Sequence, residues 1–409
     1  MQARESKRVA MLAHSFYARD PRIRREAEAL ASHGFEVNVV SLSGESREPK
    51  AANVTQSNGV HVHQLPIRKQ RGNFLRYVYE YLMTGVLGAV KLAQFGFRGG
   101  LDVVHIHNMP DILILAGLIP RLCGSKLILD VHDPMPELYL STNTNPSKLV
   151  VALLRLQEKF SFWMADRVIS VNDTMRENLQ SKGVADEKIF ILHNFPDQTY
   201  FQLRELPKTW PKKPERLVLL YCGTITDHYD LGLAVKAIAL LKNEIPIQLK
   251  IIGQGNRLSE VLGLAEKLGV RESLEHLGTL PVEKVAEAMR EADAGISCHR
   301  AGIFGDLYFS TKIIEYLTQG LPVLSPRTYT IHKYLSDDCM FYFEPGNEAA
   351  FANAIRLIWN NPSEALRRLA EARKALERLS WQVEKERFLD FYTRLLNHAP
   401  SEARTAAAQ

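Results

Sequence analysis

Short runs of apolar, often β-branched residues alternate with longer helix-like segments along nearly the whole chain. In the first half these runs are RVAMLAHS, FEVNVVSL, LDVVHIHN, KLILDVHD, DRVISVND and KIFILHNF. Near-continuous apolar runs of this length are typical of strands buried on both faces of a parallel sheet. Their alternation with helical patterns indicates an α/β architecture. The sequence therefore predicts open parallel sheets covered by helices.

A proline-rich segment interrupts this alternation half-way along the chain. Residues 201–216, FQLRELPKTWPKKPER, contain three prolines among several basic residues, a composition typical of a linker. The alternation then resumes with LVLLYCGTI, IQLKIIGQG, LEHLGTL, AGISCH, PVLSP and MFYFEPG. Two consecutive parallel-sheet domains are therefore predicted, over residues 1–200 and 217–380.

The last part of the chain differs from both domains. Residues 381–398 have a helical pattern, and we expect this helix to cross back to the first domain. The small, polar residues 399–409 are predicted to be a disordered tail. Ligands of open parallel sheets bind beyond the carboxyl ends of the strands. We therefore expect the two domains to face their ligand-binding edges across a cleft.

Composition limits the classes of function. The 409 residues are 46% hydrophobic and 24% charged, with a net charge of +5, which suits anionic ligands but does not call for nucleic acid. The four cysteines are far apart and lack zinc-site or redox spacing, so reduced thiols are expected. No apolar run has the length of a signal peptide or a membrane span. We expect a cytoplasmic protein.

One helix in the second domain has the features of a nucleotide site. It lies within DLYFSTKIIEYLTQGLPVLSP, residues 306–326, with Ser310 or Thr311 as N-cap and a Gly-Leu-Pro stop. The free amides at its N-terminus favour phosphate. Glu315, one turn further on, could accept hydrogen bonds from a ribose diol. A Lys312–Glu315 surface ion pair would fit the same spacing.

This segment carries a resemblance to a known family. STKIIEYLTQGLPVLSP resembles the donor-nucleotide segment of retaining glycosyltransferases of family 4. The resemblance extends over nearly the whole chain, through ARDPRIRREAEALASHGFEVNVVSL, DVVHIHNMPDILILAGLIPR, LILDVHDPMPEL, LVLLYCGTITDHYDLGLAVKAI and LEHLGTLPVEKVAEAMREADAGIS. It implies the GT-B fold, in which two Rossmann-like parallel-sheet domains face each other across a cleft.

The resemblance also implies roles for residues of the second domain. Glu315 matches the second glutamate of the family's paired-glutamate motif, which holds the ribose hydroxyls. Leu307 occupies the place of the first glutamate, so the backbone from Gly305 through Asp306 to Tyr308 is expected to contact the donor sugar instead. The phosphate clamp of many members is an arginine and a lysine, and both are missing from the loop after the first strand. The expected nucleotide and phosphate contacts are Gly223, Thr224, Gly253, Ser310, Thr311 and Lys312.

Two histidines of the first domain are candidates for the cleft. His132, in DVHD, matches a family histidine that contacts the donor sugar near the reacting carbon. It directly follows a buried strand, although a histidine there could also be purely structural. His107 ends another strand and is a candidate cleft residue, whereas His105 is expected to be packed.

The first strand–helix loop, YARDPRIRREAE, places Asp20, Arg22 and Arg25 at a helix start. Arg22 or Arg25 could face the acceptor or the diphosphate. Solvated arginines after Pro21 in the first helical turn explain the pattern equally well.

Residues 67–98, IRKQRGNFLRYVYEYLMTGVLGAVKLAQFGFR, combine basic ends with an aromatic and aliphatic middle. Such a segment could lie on an anionic membrane at the inner face of the cell membrane, which would favour a lipid-linked acceptor. A core helix of the first domain with solvated ends fits as well.

The residues and the resemblance together predict a retaining glycosyltransferase that uses a nucleoside diphosphate sugar, preferably a UDP-sugar. A glycan, a lipid-linked molecule or a small molecule is the expected acceptor. No aspartate-rich metal motif is present, so no metal or other cofactor is expected. A dinucleotide oxidoreductase is disfavoured because AHSFYARD follows the first strand where G-x-G-x-x-G would be needed. A GT-B epimerase and a non-catalytic partner subunit stay as alternatives.

Overall fold

The computed structural model describes residues 6–43, 54–67, 74–206, 215–377 and 380–397. The chain divides into two compact units. The first comprises the described residues within Met1–Tyr139, Asn145–Asn194 and Trp381–Gln409; the second comprises those within Leu140–Thr144 and Phe195–Ser380. Most of the expected linker, residues 207–214, and the expected tail, 399–409, lie outside the described residues.

The first unit is built on an eight-stranded sheet in the order β3-β4-β2-β1-β5-β6-β7-β8. The strands are β1 (Arg8–Ala13), β2 (Glu36–Leu42), β3 (Val54–Ser57), β4 (Val60–Leu65), β5 (Val103–His107), β6 (Lys126–Val131), β7 (Arg167–Ser170) and β8 (Ile189–Ile191). All neighbours are parallel except β3 and β4, which form an antiparallel hairpin. The hairpin turns at Asn58 and Gly59, both with positive φ, as a tight turn of this kind requires.

Every strand that the apolar runs predict in this half of the chain is present. The central strands β1, β2, β5 and β6 are buried along almost their whole length, which is why their sequences have no polar face. The β3–β4 hairpin was not predicted, although Asn58-Gly59 is a strong hairpin signal.

Helices cover both faces of this sheet. They are α1 (Pro21–Ser32), α2 (Phe74–Gly99), α3 (Leu118–Leu122), α4 (Met135–Thr142), α5 (Lys148–Met164) and α6 (Asp173–Ser181), with 3-10 helices at Tyr17–Arg19, Asp111–Gly117 and Asp186–Lys188. Pro21 begins α1 because a proline in the first turn loses no helical hydrogen bond, and Asp20 caps the helix.

The second unit is built on a six-stranded, all-parallel sheet in the order β11-β10-β9-β12-β13-β14. Its strands are β9 (Leu217–Cys222), β10 (Ile247–Ile252), β11 (Leu274–Gly278), β12 (Ala294–Ile296), β13 (Val323–Pro326) and β14 (Phe341–Phe343). All six correspond to the predicted runs. The chain leaves β9 in one direction to β10 and returns to β12 on its other side, and this reversal is where open sheets bind ligands.

The helices of the second unit flank this sheet. They are α7 (Leu231–Leu241), α8 (Leu258–Lys267), α9 (Val282–Glu291), α10 (Thr311–Thr318), α11 (Tyr329–Tyr334), α12 (Glu348–Asn360) and α13 (Pro362–Glu377), with 3-10 helices at Arg271–Ser273 and Gly305–Leu307. The helix α10 follows Ser310 and stops before Gly320, whose φ is +78°. Ile313, Ile314 and Leu317 are buried, as the spacing predicts.

The last helix, α14 (Trp381–Asn397), belongs to the first unit. It packs on α1 and carries the buried Tyr392, whose hydroxyl lies 2.7 Å from His105 Nδ1. No helix among the described residues has the length and hydropathy to cross a membrane.

Candidate active site

Two glycines meet at the carboxyl ends of β9 and β10. Gly223 has φ +149° and Gly253 has φ +138°, conformations that side chains rarely adopt. A Cβ atom on Gly253 would lie 1.8 Å from the carbonyl oxygen of Gly223, so the two loops touch through bare backbone. The next residue, Thr224, is exposed. The sheet edge is therefore open to close approach by an anion such as a phosphate.

The N-terminus of α10 and a lysine lie against this glycine loop. A Cβ atom on Gly223 would lie 2.2 Å from Lys312 Nζ, and the same ammonium is 4.5 Å from the centroid of the Tyr229 ring. The Ser310 hydroxyl is fully buried and has no hydrogen-bond partner among the described residues. Lys312, Ser310 and the first amides of α10, at Thr311, thus supply a cation and donors where a diphosphate would be stabilised.

Glu315 lies one turn further along α10 and is partly buried. Its carboxylate accepts no hydrogen bond within the described part of the chain, and it forms no ion pair with Lys312 there. Burial raises the pKa of Glu315 to about 7, although the positive charge of Lys312 opposes the shift. An unsatisfied carboxylate that is costly to bury fits a ligand-binding group better than a surface ion pair.

A further histidine, which was not predicted from the sequence, lies in this region. His299 follows β12, and its Nδ1 lies 2.7 Å from Ser297 Oγ. Its ring packs 4.9 Å from Tyr229 and 5.0 Å from Tyr308, centroid to centroid. Burial, assisted by the charge of Lys312, lowers the pKa of His299 to about 3, so the ring is neutral. Its place after the strand at the reversal of the sheet was the available signal.

The loop before α10 contains the residues expected at the donor sugar. The Asp306 carboxylate accepts hydrogen bonds from the amides of Gly302, at 3.1 Å, and Tyr329, at 3.2 Å. Asp306 thus fastens the loop to α11 and is not a free acid. A Cβ atom on Gly305 would lie 1.8 Å from the Arg300 carbonyl oxygen. Leu307 ends the 3-10 helix of this loop, and Tyr308 then turns its ring to His299.

The first unit has a polar pocket of about 160 Å³ at the carboxyl ends of its central strands. Most of the side chains that line it are polar or charged: it is formed by Ala13, His14, Ser15, Asp20, Arg22, Ile23, Tyr81, His107, Asn108, Met109, His132 and Asp133. Asp20, Arg22, His107 and His132 were singled out from the sequence, whereas His14 and Asn108 were missed. The pocket can hold a small polar group.

Asp20 and Arg22 interact with each other at the N-terminus of α1. Asp20 Oδ1 accepts hydrogen bonds from the Arg22 amide, at 3.2 Å, and from Arg22 Nε, at 3.3 Å. Burial would raise the pKa of Asp20, but the charge and hydrogen bond of Arg22, together with the nearby His132 and His107, outweigh burial and lower this pKa to about 2. Arg25 lies instead over the Trp381 ring, 4.5 Å from its centroid. Arg22 therefore contributes to the pocket, and Arg25 does not line it.

A buried aspartate holds the histidines of this pocket. Asp130 Oδ2 lies 2.8 Å from His132 Nε2 and 3.0 Å from His107 Nδ1. Asn108 Oδ1 accepts a hydrogen bond from the His132 amide at 2.8 Å, which joins the ends of β5 and β6. Burial opposes ionisation of Asp130, but His132 and the other histidines hold its pKa well below the usual range.

The same cluster is where a metal ion could be held. Glu26, His105, His107 and Asp130 each offer one ligand atom, and these atoms lie within 4.8 Å of one another. Burial raises the pKa of Glu26 well above its usual value, with the charge of Asp130 adding to the effect. A neutral Glu26 and hydrogen-bonded histidines also make a stable network without a metal. The expectation that no metal is needed stays a prediction.

Comparison with known protein families identifies the family to which this chain belongs. Residues 20–194 match the family profile of the glycosyl transferase 4-like domain, and residues 203–376 match that of glycosyl transferases group 1. The chain belongs to the group 1 glycosyltransferase family. The resemblance that the STKIIEYLTQGLPVLSP segment carries is thus confirmed.

Relatives of this glycosyltransferase cover nearly its whole length. The N-acetyl-alpha-D-glucosaminyl L-malate synthase of Bacillus anthracis is 21% identical over 370 residues, 89% of each chain. Sucrose-phosphate synthase from Thermosynechococcus elongatus has a TM-score of 0.75 at 16% identity and covers 96% of this chain and 100% of its own. Anabaena Alr3699/HepE in complex with UDP-glucose has a TM-score of 0.68 at 13% identity, and the match covers 95% of this chain and 99% of its own. The fold is GT-B, as predicted.

Proposed function

We propose that this glycosyltransferase moves a sugar from a UDP-sugar to a hydroxyl group of its acceptor and retains the anomeric configuration. The observation that carries the proposal is the convergence of Lys312, Gly223 and the unsatisfied carboxylate of Glu315 at the start of α10. A phosphate needs close backbone approach and positive charge, and a ribose needs an acceptor for its diol. Lys312 and Glu315, one turn apart on α10, together with the backbone of Gly223 after β9, meet these three requirements.

In this proposal the diphosphate lies between the Gly223–Gly253 backbone and the N-terminus of α10. Lys312 takes the place of the missing arginine–lysine clamp, since its ammonium group lies against Gly223. Negative charge grows on the leaving diphosphate as the glycosidic bond breaks. A preorganised cation and helix N-terminus stabilise that charge and lower the barrier.

The donor loop bears on how the anomeric configuration would be retained. Leu307 stands where a carboxylate would be needed, and Asp306 is bonded to two backbone amides, so neither supplies a nucleophile. We propose front-face attack, in which the acceptor hydroxyl passes its proton to the leaving phosphate oxygen. His132 would orient the donor sugar, and Asp130 would hold the His132 ring.

The proposed preference for uridine rests on those structural neighbours whose complexes contain UDP. The structure of Anabaena Alr3699/HepE is a complex with UDP-glucose, whereas the catalytic domain of starch synthase IV from Arabidopsis thaliana is bound to ADP and acarbose. The fold thus accommodates more than one base. The acceptor would be a glycan, a lipid-linked molecule or a small molecule, and the polar pocket of the first unit is where its hydroxyl would bind.

A donor panel tests the proposal. Release of the nucleoside diphosphate is measured with UDP-, GDP- and ADP-sugars, with and without hydroxylated acceptors, and proton NMR of the product gives the anomeric coupling. We expect the fastest release with a UDP-sugar and an axial linkage from an axial donor. An equatorial product from the axial donor would contradict retention. Conversion of the nucleotide sugar without any acceptor would identify an epimerase instead.

A further inference from the structure

Three helical segments lie side by side on one face of the first sheet. The connections β4–β5, β5–β6 and β6–β7 all run in the same direction across the sheet, and right-handed crossovers place such connections on the same face. They contain α2, the 3-10 helix Asp111–Gly117 with α3, and α5. Both α2 and α5 pack against the 3-10 helix. The three segments together form a continuous layer, here named the α2–α5 face.

The outer side of this layer is apolar. Along α5, the exposed side chains include Leu149 (69%), Leu153 (56%), Leu156 (66%), Phe160 (38%) and Trp163 (73%). Their spacing of three and four residues places them in one stripe. A soluble surface helix has its apolar stripe on the inner side. Here a second apolar stripe points to solvent.

The neighbouring segments extend this stripe. On α2, Val78, Leu82, Val86 and Val90 recur every four residues and are 45% to 63% exposed, and Phe97 near its end is 74% exposed. On α3, Leu122 is 80% exposed. Large apolar patches of this kind on a protein surface mark interaction sites.

The charges on this layer have a single sign at the surface. Its carboxylates are Glu80, Asp111 and Glu158, which are 0%, 1% and 3% exposed, and Glu158 lies 2.7 Å from Lys182 Nζ. The basic residues, in contrast, are exposed or partly exposed, namely Arg76, Lys91, Arg98, Arg121, Lys148, Arg155 and Lys159. Arg76 is paired with Glu80, and Arg121 is paired with Asp166. The basic residues that have no carboxylate partner within the described residues are Lys91, Arg98, Lys148, Arg155 and Lys159. The apolar face is thus bordered by an excess of positive charge.

We propose that the α2–α5 face is a membrane-docking surface that lies on anionic lipid headgroups. Apolar and aromatic side chains flanked by lysine and arginine are what an anionic bilayer surface attracts. A symmetric dimer through this face would bring Lys148, Arg155 and Lys159 of two copies together, and like charges oppose such an interface. The proposed surface thus includes α5 in addition to the basic segment at residues 67–98 that was expected to contact the membrane. Among the acceptors of the proposed function, a membrane-docked enzyme favours a lipid-linked one.

Flotation with lipid vesicles tests this proposal directly. The full chain is mixed with vesicles of phosphatidylcholine alone or of phosphatidylcholine with 30 mol% phosphatidylglycerol. We expect binding to the anionic vesicles, weakening as salt increases. The triple variant Lys148→Gln, Arg155→Gln and Lys159→Gln should lose about fivefold in affinity per removed charge. The double variant Leu153→Gln and Leu156→Gln should lose binding at every salt concentration.

A matched charge control is the triple variant Lys236→Gln, Lys267→Gln and Arg290→Gln, which alters exposed residues of the second unit and should bind like the parent protein. Equal binding to both vesicle types, no binding, or unchanged binding of the α5 variants would overturn the proposal. So would a dimer in sedimentation velocity that Leu153→Gln and Leu156→Gln dissolve. Nucleotide affinity of each variant, which depends on the second unit, separates this result from failure of the proposed function.

Discussion

The ammonium group of Lys312 lies 4.5 Å from the centroid of the Tyr229 ring and not on Glu315, its neighbour one turn further along the same helix. A surface ion pair was the simpler interpretation of the two charges from their spacing. Lys312 instead lies over the Tyr229 ring and beside the Gly223 loop, where its ammonium group could bind a phosphate. The carboxylate of Glu315 has no hydrogen-bond or ion-pair partner within the described residues.

This arrangement predicts that Lys312→Met weakens UDP binding much more than uridine binding. A charge-assisted hydrogen bond to phosphate contributes about 1.5–3 kcal/mol, so the loss for UDP should be about tenfold to a hundredfold. Uridine lacks the diphosphate and should bind both proteins alike. Calorimetric titration with the two ligands measures this difference. Lys236→Met, at an exposed site on α7, is the control, and equal losses for UDP and uridine would contradict the assignment.

The contact between the two glycine loops predicts a large cost for Gly253→Ala. The added Cβ would lie 1.8 Å from the Gly223 carbonyl oxygen, at φ +138°. Backbone strain of this kind costs about 1–3 kcal/mol before the steric clash is added. Urea unfolding should therefore show a marked loss of stability. Gly346→Ala is the matched control, because Gly346 has φ +76° and an added Cβ there would meet no atom within 4 Å. A loss no larger than that of the control would refute the contact.

The raised pKa of Glu315 predicts a pH-dependent gain in stability for Glu315→Gln. The folded protein keeps a proton on this carboxyl up to a pH of about 7, whereas the unfolded chain releases it near the ordinary glutamate value of 4.5. Glu315 therefore makes the free energy of unfolding fall as pH rises from about 4.5 to 7. The variant should melt at a higher temperature than the parent protein at pH 8 and at the same temperature below pH 4.

The control for this prediction is Glu283→Gln, an exposed glutamate on α9. Its melting temperature relative to the parent protein should not change across the same pH range. A Glu315→Gln variant that is less stable than the parent at pH 8 would mean that the carboxylate has a structural partner after all.

The pocket of the first unit predicts that His132→Ala lowers kcat and leaves the KM for the donor nearly unchanged. Misplacing a reacting group by about 1 Å can cost about a hundredfold in rate. Asp130 lies 2.8 Å from His132 Nε2, and Asp130→Asn should lower kcat in the same way by freeing the ring. Initial-rate kinetics with a UDP-sugar provide both constants. His33→Ala, an exposed histidine after α1, should behave like the parent protein, and an increase in KM alone would contradict the role of His132.

The cluster around Asp130 makes metal removal informative. We expect dialysis against EDTA to leave both activity and thermal stability unchanged, because the proposed stabilisation of the leaving group uses Lys312 and the start of α10. Elemental analysis of the purified protein would show whether Glu26, His105, His107 and Asp130 hold an ion. One equivalent of a transition metal, together with loss of activity after EDTA, would contradict metal independence.

Much of the fold could be predicted from the sequence because burial leaves a local signature. The two-sided apolar runs identified most of the parallel strands, and Ser310 with Gly320 delimited α10 closely. Other features depend on contacts between segments that are distant in the chain. Gln319 has the spacing to share a face with Glu315, yet it is buried and donates to the carbonyl of Gln202.

The site was harder to predict for the same reason. Asp306 is expected to contact the donor sugar through its backbone, which stays a prediction. Its carboxylate accepts a hydrogen bond from the amide of Tyr329 in α11, a contact between distant segments that no local pattern indicates. His299 follows β12, which has only three residues, and its place after that strand becomes a signal only once the strand order of the sheet is known. The helix α5 contains apolar residues on several sides, and its packing against β6 and the 3-10 helix Asp111–Gly117 decides which of them stay exposed.

The most direct test of the central claim is a calorimetric cycle with UDP and its 2′,3′-dideoxy analogue on the parent protein and on Glu315→Ala. The account predicts that the parent protein binds UDP at least about tenfold more tightly than the analogue, since the diol is worth one or two hydrogen bonds to a carboxylate. Glu315→Ala should bind both ligands equally and weakly. If the variant prefers UDP to the analogue as strongly as the parent protein does, or if neither protein binds UDP, the nucleotide site proposed at α10 is wrong.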